Sequence, residues 1–152
     1  MRLSLQVQYA ICGLFDIAYN GHGRSVQVRR IGERQQIPTR YLEQIFQRLR
    51  RARLVHGKRG PGGGYTLARA SGDITLLDIV EAVEGEIEGS QLPPVVAREG
   101  EDPRIFRPDF LWPDLSGRFH GVLADVTLER LVRQAAQKAV PRSDSEAFTY
   151  QI

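Results

Sequence analysis

Between residues 40 and 59 the chain carries Arg40, Glu43, Gln44, Gln47, Arg48, Arg50, Arg51, Lys58 and Arg59 with few acidic residues among them. Arginine dominates the basic set throughout, since Lys58 and Lys138 are the only lysines. A planar guanidinium presents paired N–H donors that match phosphate oxygens and the guanine edge better than an ammonium does. The chemistry on offer is therefore recognition of a polyanion, not bond making. Catalytic patterns are missing: no nucleophile–base arrangement and no paired carboxylates stand at a recognisable spacing. His22, His56 and His120 are scattered and have no metal-ligand spacing. Cys12 is the only cysteine. It excludes an internal disulfide, a multi-cysteine zinc site and an intrachain cluster held by cysteines alone. With no basic neighbour within a helical turn to activate it, Cys12 reads as a small buried hydrophobe rather than a redox thiol.

The charge is segregated along the chain. Residues 1–70 hold 13 basic and 3 acidic residues, a net +10; residues 71–152 hold 8 basic and 15 acidic, a net −7. A basic lobe attracts polyanions and an acidic lobe does not. At 152 residues, 41% hydrophobic and 26% charged, the chain is long enough for one compact domain with an appended segment. No apolar run reaches membrane-spanning length, and residues 1–8 lack a secretion signal. A reducing cytoplasm is the expected compartment.

The elements that must position the basic residues can be read from periodicity. Leu3, Val7, Ala10, Ile11, Leu14, Phe15 and Ala18 recur at three- and four-residue steps, predicting a helix over Leu3–Tyr19 that stops at Asn20-Gly21-His22-Gly23. A short helix is expected over Val28–Gln35. A third starts near Pro38, with an apolar stripe of Leu42, Ile45, Phe46 and Leu49. Two helices so spaced suit a helix-turn-helix. Leu54–Arg59 and Tyr65–Ala68 flank Gly60-Pro61-Gly62-Gly63-Gly64 and predict a β-hairpin, a wing with Lys58 and Arg59 at its base. The glycine run lacks the Gly-Lys-Ser/Thr ending of a nucleotide loop; it would let backbone, at Gly62 in particular, approach a sugar–phosphate wall. Thr75 and Asp78 form a capping pair before a helix ending near Val83. Leu111, Leu115, Phe119, Val122 and Val126 form one stripe on a helix of four to five turns, with Pro108 and Pro113 in its opening turns.

Tyr41-Leu42-Glu43-Gln44-Ile45-Phe46-Gln47-Arg48-Leu49-Arg50, then Leu54-Val55 and Arg59-Gly60-Pro61-Gly62-Gly63-Gly64-Tyr65, resembles the winged-helix transcription regulators of the IscR, NsrR and CymR type. Similarity continues through Thr75–Val83, Leu111–Ser116 and Val126–Val132, covering roughly residues 1–135 and weakest between 85 and 107. The resemblance implies a mainly α fold with a small hairpin wing and a C-terminal dimerisation helix. The implied division is a winged-helix domain at 1–83, a loop at 84–107, dimerisation helices at 108–139 and a flexible tail at 140–152. It implies that the helix over Pro38–Ala52 enters the major groove and the wing the minor groove. By position, Glu43 matches a base-reading glutamate, whose partner is the cytosine amine. Arg59 matches the wing arginine of a narrowed minor groove. Arg50, Arg51, Arg53 and Lys58 then fall to phosphates. Gln44 and Gln47 are candidates for adenine, and Arg40, where relatives often have a small hydroxyl residue, for guanine. Tyr41 opens the same reading face.

The chain also departs from the pattern. Gln6 and Gln8 stand where relatives commonly have a basic residue, and Arg2 is the available substitute. Cluster-bearing members hold their cluster with three cysteines before the long helix, whereas residues 84–107 contain none, and Phe106-Arg107-Pro108-Asp109 precedes Trp112 where relatives show Cys-x-x-His. The expectation is a sequence-specific regulator, a repressor with no cofactor and no metal, bound to double-stranded DNA as a homodimer through Leu111, Leu115, Phe119, Val122 and Val126. Two other readings stay open. One is an interaction module docking an enzyme partner; the other is a small-molecule sensor with its pocket near residues 85–107.

Overall fold

The computed structural model describes residues 2–100 and 107–143. In chain order these form α1 (Leu5–Asn20), α2 (Val28–Gln35), α3 (Thr39–Arg51), β1 (Val55–Lys58), β2 (Gly64–Leu67), a 3₁₀ turn at Ser71–Asp73, α4 (Leu76–Glu84), α5 (Leu111–Ala124) and α6 (Leu128–Gln137). The mainly α class with one hairpin agrees with the sequence reading. β1 and β2 pair antiparallel, with Val55 opposite Leu67 and Lys58 opposite Gly64.

Helix ends follow from local chemistry. The Ser4 hydroxyl accepts from the Val7 amide at 3.2 Å, so α1 starts two residues later than the periodicity predicts. Pro38 caps α3 from outside the helix, its carbonyl accepting from the Tyr41 amide at 3.0 Å. Thr75 and Asp78 close a full capping box on α4: Asp78 accepts from the Thr75 amide at 2.8 Å and donates its own amide to Thr75 Oγ1 at 3.1 Å.

One core serves α1, α2, α3, α4, β1 and α6. Leu42, Ile45, Phe46 and Leu49 of α3 are all buried in it, against Val7, Leu14 and Ile17 of α1. Burial of each such side chain contributes about 1.5–3 kcal/mol, more than any exposed contact of the same helix. Gly13 sits where α1 meets the Phe46 ring: a Cβ there would come within 2.9 Å of it.

The second half differs from the expected single stripe. α5 ends at Ala124, and Val126 lies beyond it. The Val126 carbonyl accepts from the Leu76 amide at 2.9 Å, and the Leu128 amide donates to the Ile74 carbonyl at 2.8 Å. Strand-like pairing at Thr75–Thr127 thus interrupts the helix and starts α6, whose Leu128 is fully buried in the core. Val126 therefore does not share the outer face of α5, and α6 packs back on the N-terminal helices. The start of the expected flexible tail is held too: Tyr19 Oη donates to the Val140 carbonyl and the Ser143 amide to Asn20 Oδ1, each at 2.8 Å. Phe148 and Tyr150 of the tail, like Phe106, lie outside the described residues.

Asp16 is a fully buried carboxylate. It accepts from Arg34 Nε at 2.9 Å, from Arg34 Nη2, from Gln35 Nε2 at 2.9 Å and from Asn20 Nδ2 at 3.4 Å. That network ties α2 to α1 and holds the Arg34 guanidinium above its ordinary pKa, chiefly through the hydrogen bond to Asp16. Asp16→Ala strands Arg34 and Gln35 and is expected to cost about 3 kcal/mol. Arg29→Ala, which breaks the exposed Arg29–Glu33 pair, should cost about 0.3–0.5 kcal/mol. Urea unfolding of both variants checks the contrast.

Candidate nucleic-acid interface

The buried stripe of α3 decides what its other side presents. Arg40, Tyr41, Glu43, Gln44, Gln47, Arg50 and Arg51 are all exposed. Arg40 is steadied at the start of the helix: its guanidinium lies 4.8 Å from the Tyr41 ring centroid and donates to Tyr41 Oη at 3.0 Å. The Tyr41 ring also approaches that of Tyr9, at 6.4 Å between centroids. Gln44 borders a groove between α1 and α3 with Tyr9, Tyr41 and Arg48, while Gln47 faces outward into solvent.

Arg48 leaves the basic set. Its Nη1 donates to Gln6 Oε1 at 2.7 Å and to the Val83 carbonyl at 2.9 Å, stitching α3 to α1 and α4. Gln6 of α1 is thus an acceptor for Arg48. Arg50 lies toward the hairpin, in a depression shared with Arg53, His56 and Arg69. Those three arginines extend the positive surface from α3 to the base of the wing.

In the wing, Lys58 ends β1, and Arg59, Pro61 and Gly62 are exposed. The glycines have an explanation inside the turn itself. Gly62 takes φ +72°, and a Cβ on Gly63 would fall 2.4 Å from the Lys58 carbonyl oxygen. Gly64 takes φ +141°, and its missing Cβ leaves room for the Val26 carbonyl.

That last contact was not visible in the sequence. Val26 forms a two-way bridge with Tyr65, each amide donating to the other's carbonyl at 2.9 Å. The Tyr65 ring packs 4.8 Å from Phe46 between centroids. One residue on an unpatterned connection therefore fixes the wing against the segment before α2; a single bridge has no alternating signature to betray it. Asp16 was missed as well, although a lone carboxylate amid Leu14, Phe15 and Ile17 is a signal for a buried ion pair.

The donor set does not fit an iron–sulfur cluster. Such clusters take several thiolates, and the one cysteine of the chain lies mid-helix in α1. Burial pushes the Cys12 thiol above its ordinary pKa, so nothing at its position activates it as a free thiolate. Among the described residues no group of three or more His, Cys, Asp or Glu could hold a metal ion. No described helix is long and apolar enough to cross a membrane.

A helix pair with its second helix exposed on one face, followed by a glycine-turned hairpin, defines a winged-helix DNA-binding protein. The profile of the Rrf2 family, described as iron-dependent transcriptional regulator, matches residues 3–134, and the chain belongs to that family. It is similar to the HTH-type transcriptional regulator IscR of Citrobacter koseri, 36% identical over 96% of this chain and 87% of the relative. The IscR of Salmonella newport is 38% identical over 87% of this chain and 79% of its own length. Among solved structures, T. potens IscR superposes with a TM-score of 0.72 at 29% identity, covering 94% of each chain. CymR, the global cysteine regulator of B. subtilis, does so with a TM-score of 0.68 at 30% identity, over 88% of this chain and 98% of that one. The chain is accordingly a DNA-binding transcriptional regulator and not an enzyme.

Gly64→Ala tests the wing anchor. A Cβ at that position would lie 2.3 Å from the Val26 carbonyl oxygen, so the Val26–Tyr65 bridge should open at a cost of about 1–3 kcal/mol. Hydrogen exchange should show lost protection at both amides while α1 and α3 stay protected. Unchanged protection of Val26 and Tyr65 would refute the anchor.

Proposed function

We propose that the protein is a cytoplasmic, homodimeric repressor that reads a pseudo-palindromic operator without an iron–sulfur cluster. The observation that carries this reading is the geometry of α3. Its four apolar side chains are buried, which leaves Arg40, Glu43, Gln44, Gln47 and Arg51 facing solvent beside a wing that bears Lys58 and Arg59. In this reading α3 enters the major groove. Glu43 accepts from a cytosine amine, Gln44 and Gln47 meet adenine edges, and Arg40 meets guanine. Arg50, Arg51 and Lys58 hold phosphates, and Arg59 enters the minor groove with the Gly62 backbone close to the sugar–phosphate wall. Occupancy of the operator blocks polymerase.

The second copy docks on α5. Phe110, Leu111, Leu115 and Val122 are exposed, Phe110 by 83% and Val122 by 66%, and Phe119 stands half-buried beside them. An apolar face of this kind on a helix joined through a long loop suits isologous pairing with its twin. Two copies so paired present two α3 helices to half-sites about one helical turn apart or a multiple of it.

Selection from random duplex DNA at near-physiological salt, without added metal, is expected to return two spaced half-sites. Glu43→Ala should relax one base position by about 1–3 kcal/mol while leaving non-specific affinity nearly intact. Arg51→Ala should weaken all sequences alike and lower the salt slope by about one. An unchanged consensus for Glu43→Ala would remove that residue from base reading. For the dimer, Leu115→Asp with Val122→Asp should shift the sedimentation of the folded protein from dimer to monomer and abolish binding to paired half-sites. Sedimentation identical to that of the parent protein would exclude α5 as the interface.

A further inference from the structure

α3 ends on an arginine where helices ordinarily end on glycine. The Leu54 amide donates to the Leu49 carbonyl and the Arg53 amide to the Arg50 carbonyl, each at 3.0 Å. This pair of bonds is the Schellman closure, which puts the residue after the cap in the left-handed region. Arg53 takes that conformation, at φ +60°, although glycine alone adopts it without steric cost. The helix dipole does not explain the choice. Arg48, Arg50 and Arg51 already stand in the last turn, so a fourth cation adds repulsion where attraction is already supplied. A strained residue with no role in its own element points to function.

The surroundings of Arg53 say which function. It lines an open depression with Arg50, His56 and Arg69, between the end of α3 and the hairpin. All four residues are exposed. The Arg50 stem lies along β1: a Cβ on Gly57 would stand 3.8 Å from Arg50 Cδ. Arg69 is partly engaged, since Nη1 donates to the Asp73 carbonyl at 3.4 Å and stands 4.0 Å from Asp78 Oδ2. Arg50 and Arg53 form no ion pair among the described residues. Two uncompensated guanidiniums, with Arg69 beside them, make an accessible concavity for an anion. Their paired N–H donors match phosphate oxygens.

Position along α3 identifies the phosphate. Arg50 follows Glu43 by two helical turns, so the two residues project along one line of the helix about 10 Å apart. The major groove is about 12 Å wide. A helix that sets Glu43 on a base edge therefore brings Arg50, and the depression with it, to the wall of the groove, where the sugar–phosphate backbone runs. We infer that the depression of Arg50, Arg53, His56 and Arg69 clamps a DNA backbone phosphate flanking the base pairs under α3, an assignment that rests on the proposed entry of α3 into the major groove. Arg53 is the contact for which the helix end is strained, and binding offsets a cost carried by the free protein.

Arg53→Gly separates a DNA contact from a structural role, because the two move stability in opposite directions. Glycine relaxes the left-handed position, so the urea midpoint of the free full-length protein should rise. Binding is read by fluorescence anisotropy on a labelled duplex of mixed sequence, between roughly 50 and 200 mM salt. Kd should rise about tenfold at the lower salt, and the slope of log affinity against log salt should fall by about one. Arg53→Lys keeps both the cation and the strain and should retain the slope. Lys138→Ala, which removes an exposed cation at the end of α6, should leave it unchanged. On a duplex carrying the selected half-sites, neutral methylphosphonate links placed singly in the flanks should weaken the parent protein at one position and leave Arg53→Gly indifferent there. A lower urea midpoint for Arg53→Gly, or an unchanged salt slope, overturns the inference while leaving α3 as a DNA-binding helix. Pyrophosphate that raises the parent's urea midpoint, while Arg53→Gly leaves duplex binding untouched, assigns the depression to a free anion and overturns it as well. A parent protein with no salt-dependent binding to duplex overturns both this contact and the reading of α3.

Discussion

The structure depends first on the burial of Phe46. Its ring is completely enclosed, with Gly13 of α1 on one side and Tyr65 of the wing on the other. A ring of that size cannot be moved without opening a cavity that costs several times the net worth of a surface contact. Because Phe46 lies on the same stripe as Leu42, Ile45 and Leu49, its position sets the rotation of α3 about its own axis. Everything presented to solvent by Arg40, Glu43, Gln47 and Arg51 follows from that rotation. The polar face is thus aimed by the core, and the exposed residues contribute little to their own placement.

Around this pivot, polar groups are spent on fixing one element to the next. Asp16 reaches Arg34 and Gln35 and so binds α2 to α1. Arg48 reaches Gln6 and the Val83 carbonyl and binds α3 to α1 and α4. Val26 and Tyr65 bind the wing to the segment ahead of α2. Each link joins elements separated in sequence, and the Arg48 link removes from the interface a group that composition alone assigns to it. A basic face in a DNA-binding protein is therefore smaller than its arginine count, because arginine also serves as the long bidentate strut of the interior edge.

The second half has diverged further in chemistry than in form. The chain superposes on IscR and CymR structures, yet residues 84–107 hold no cysteine. Thiolates suit a soft metal centre, and the one cysteine of the chain lies elsewhere, in α1.

Much was legible in the sequence by itself. The three N-terminal helices, the hairpin and the capping box at Thr75 and Asp78 follow from local periodicity and cap chemistry, which act over a few residues. The exposure of Arg40, Glu43, Gln47 and Arg51 follows as well, because a helix with one fully apolar stripe has only one way to face a core. What lay beyond reach depends on residues distant in the chain. The break at Asp125, which takes Val126 off the α5 face, comes from pairing with Ile74 and Leu76 some fifty positions earlier. The loss of Arg48 to Gln6 and the burial of Asp16 are likewise products of packing. Local sequence determined which elements form and which faces are apolar, since those preferences are set within a turn or two. Tertiary structure alone decided which polar groups face water and which face each other, because that choice is made by the partner a fold brings within hydrogen-bonding distance.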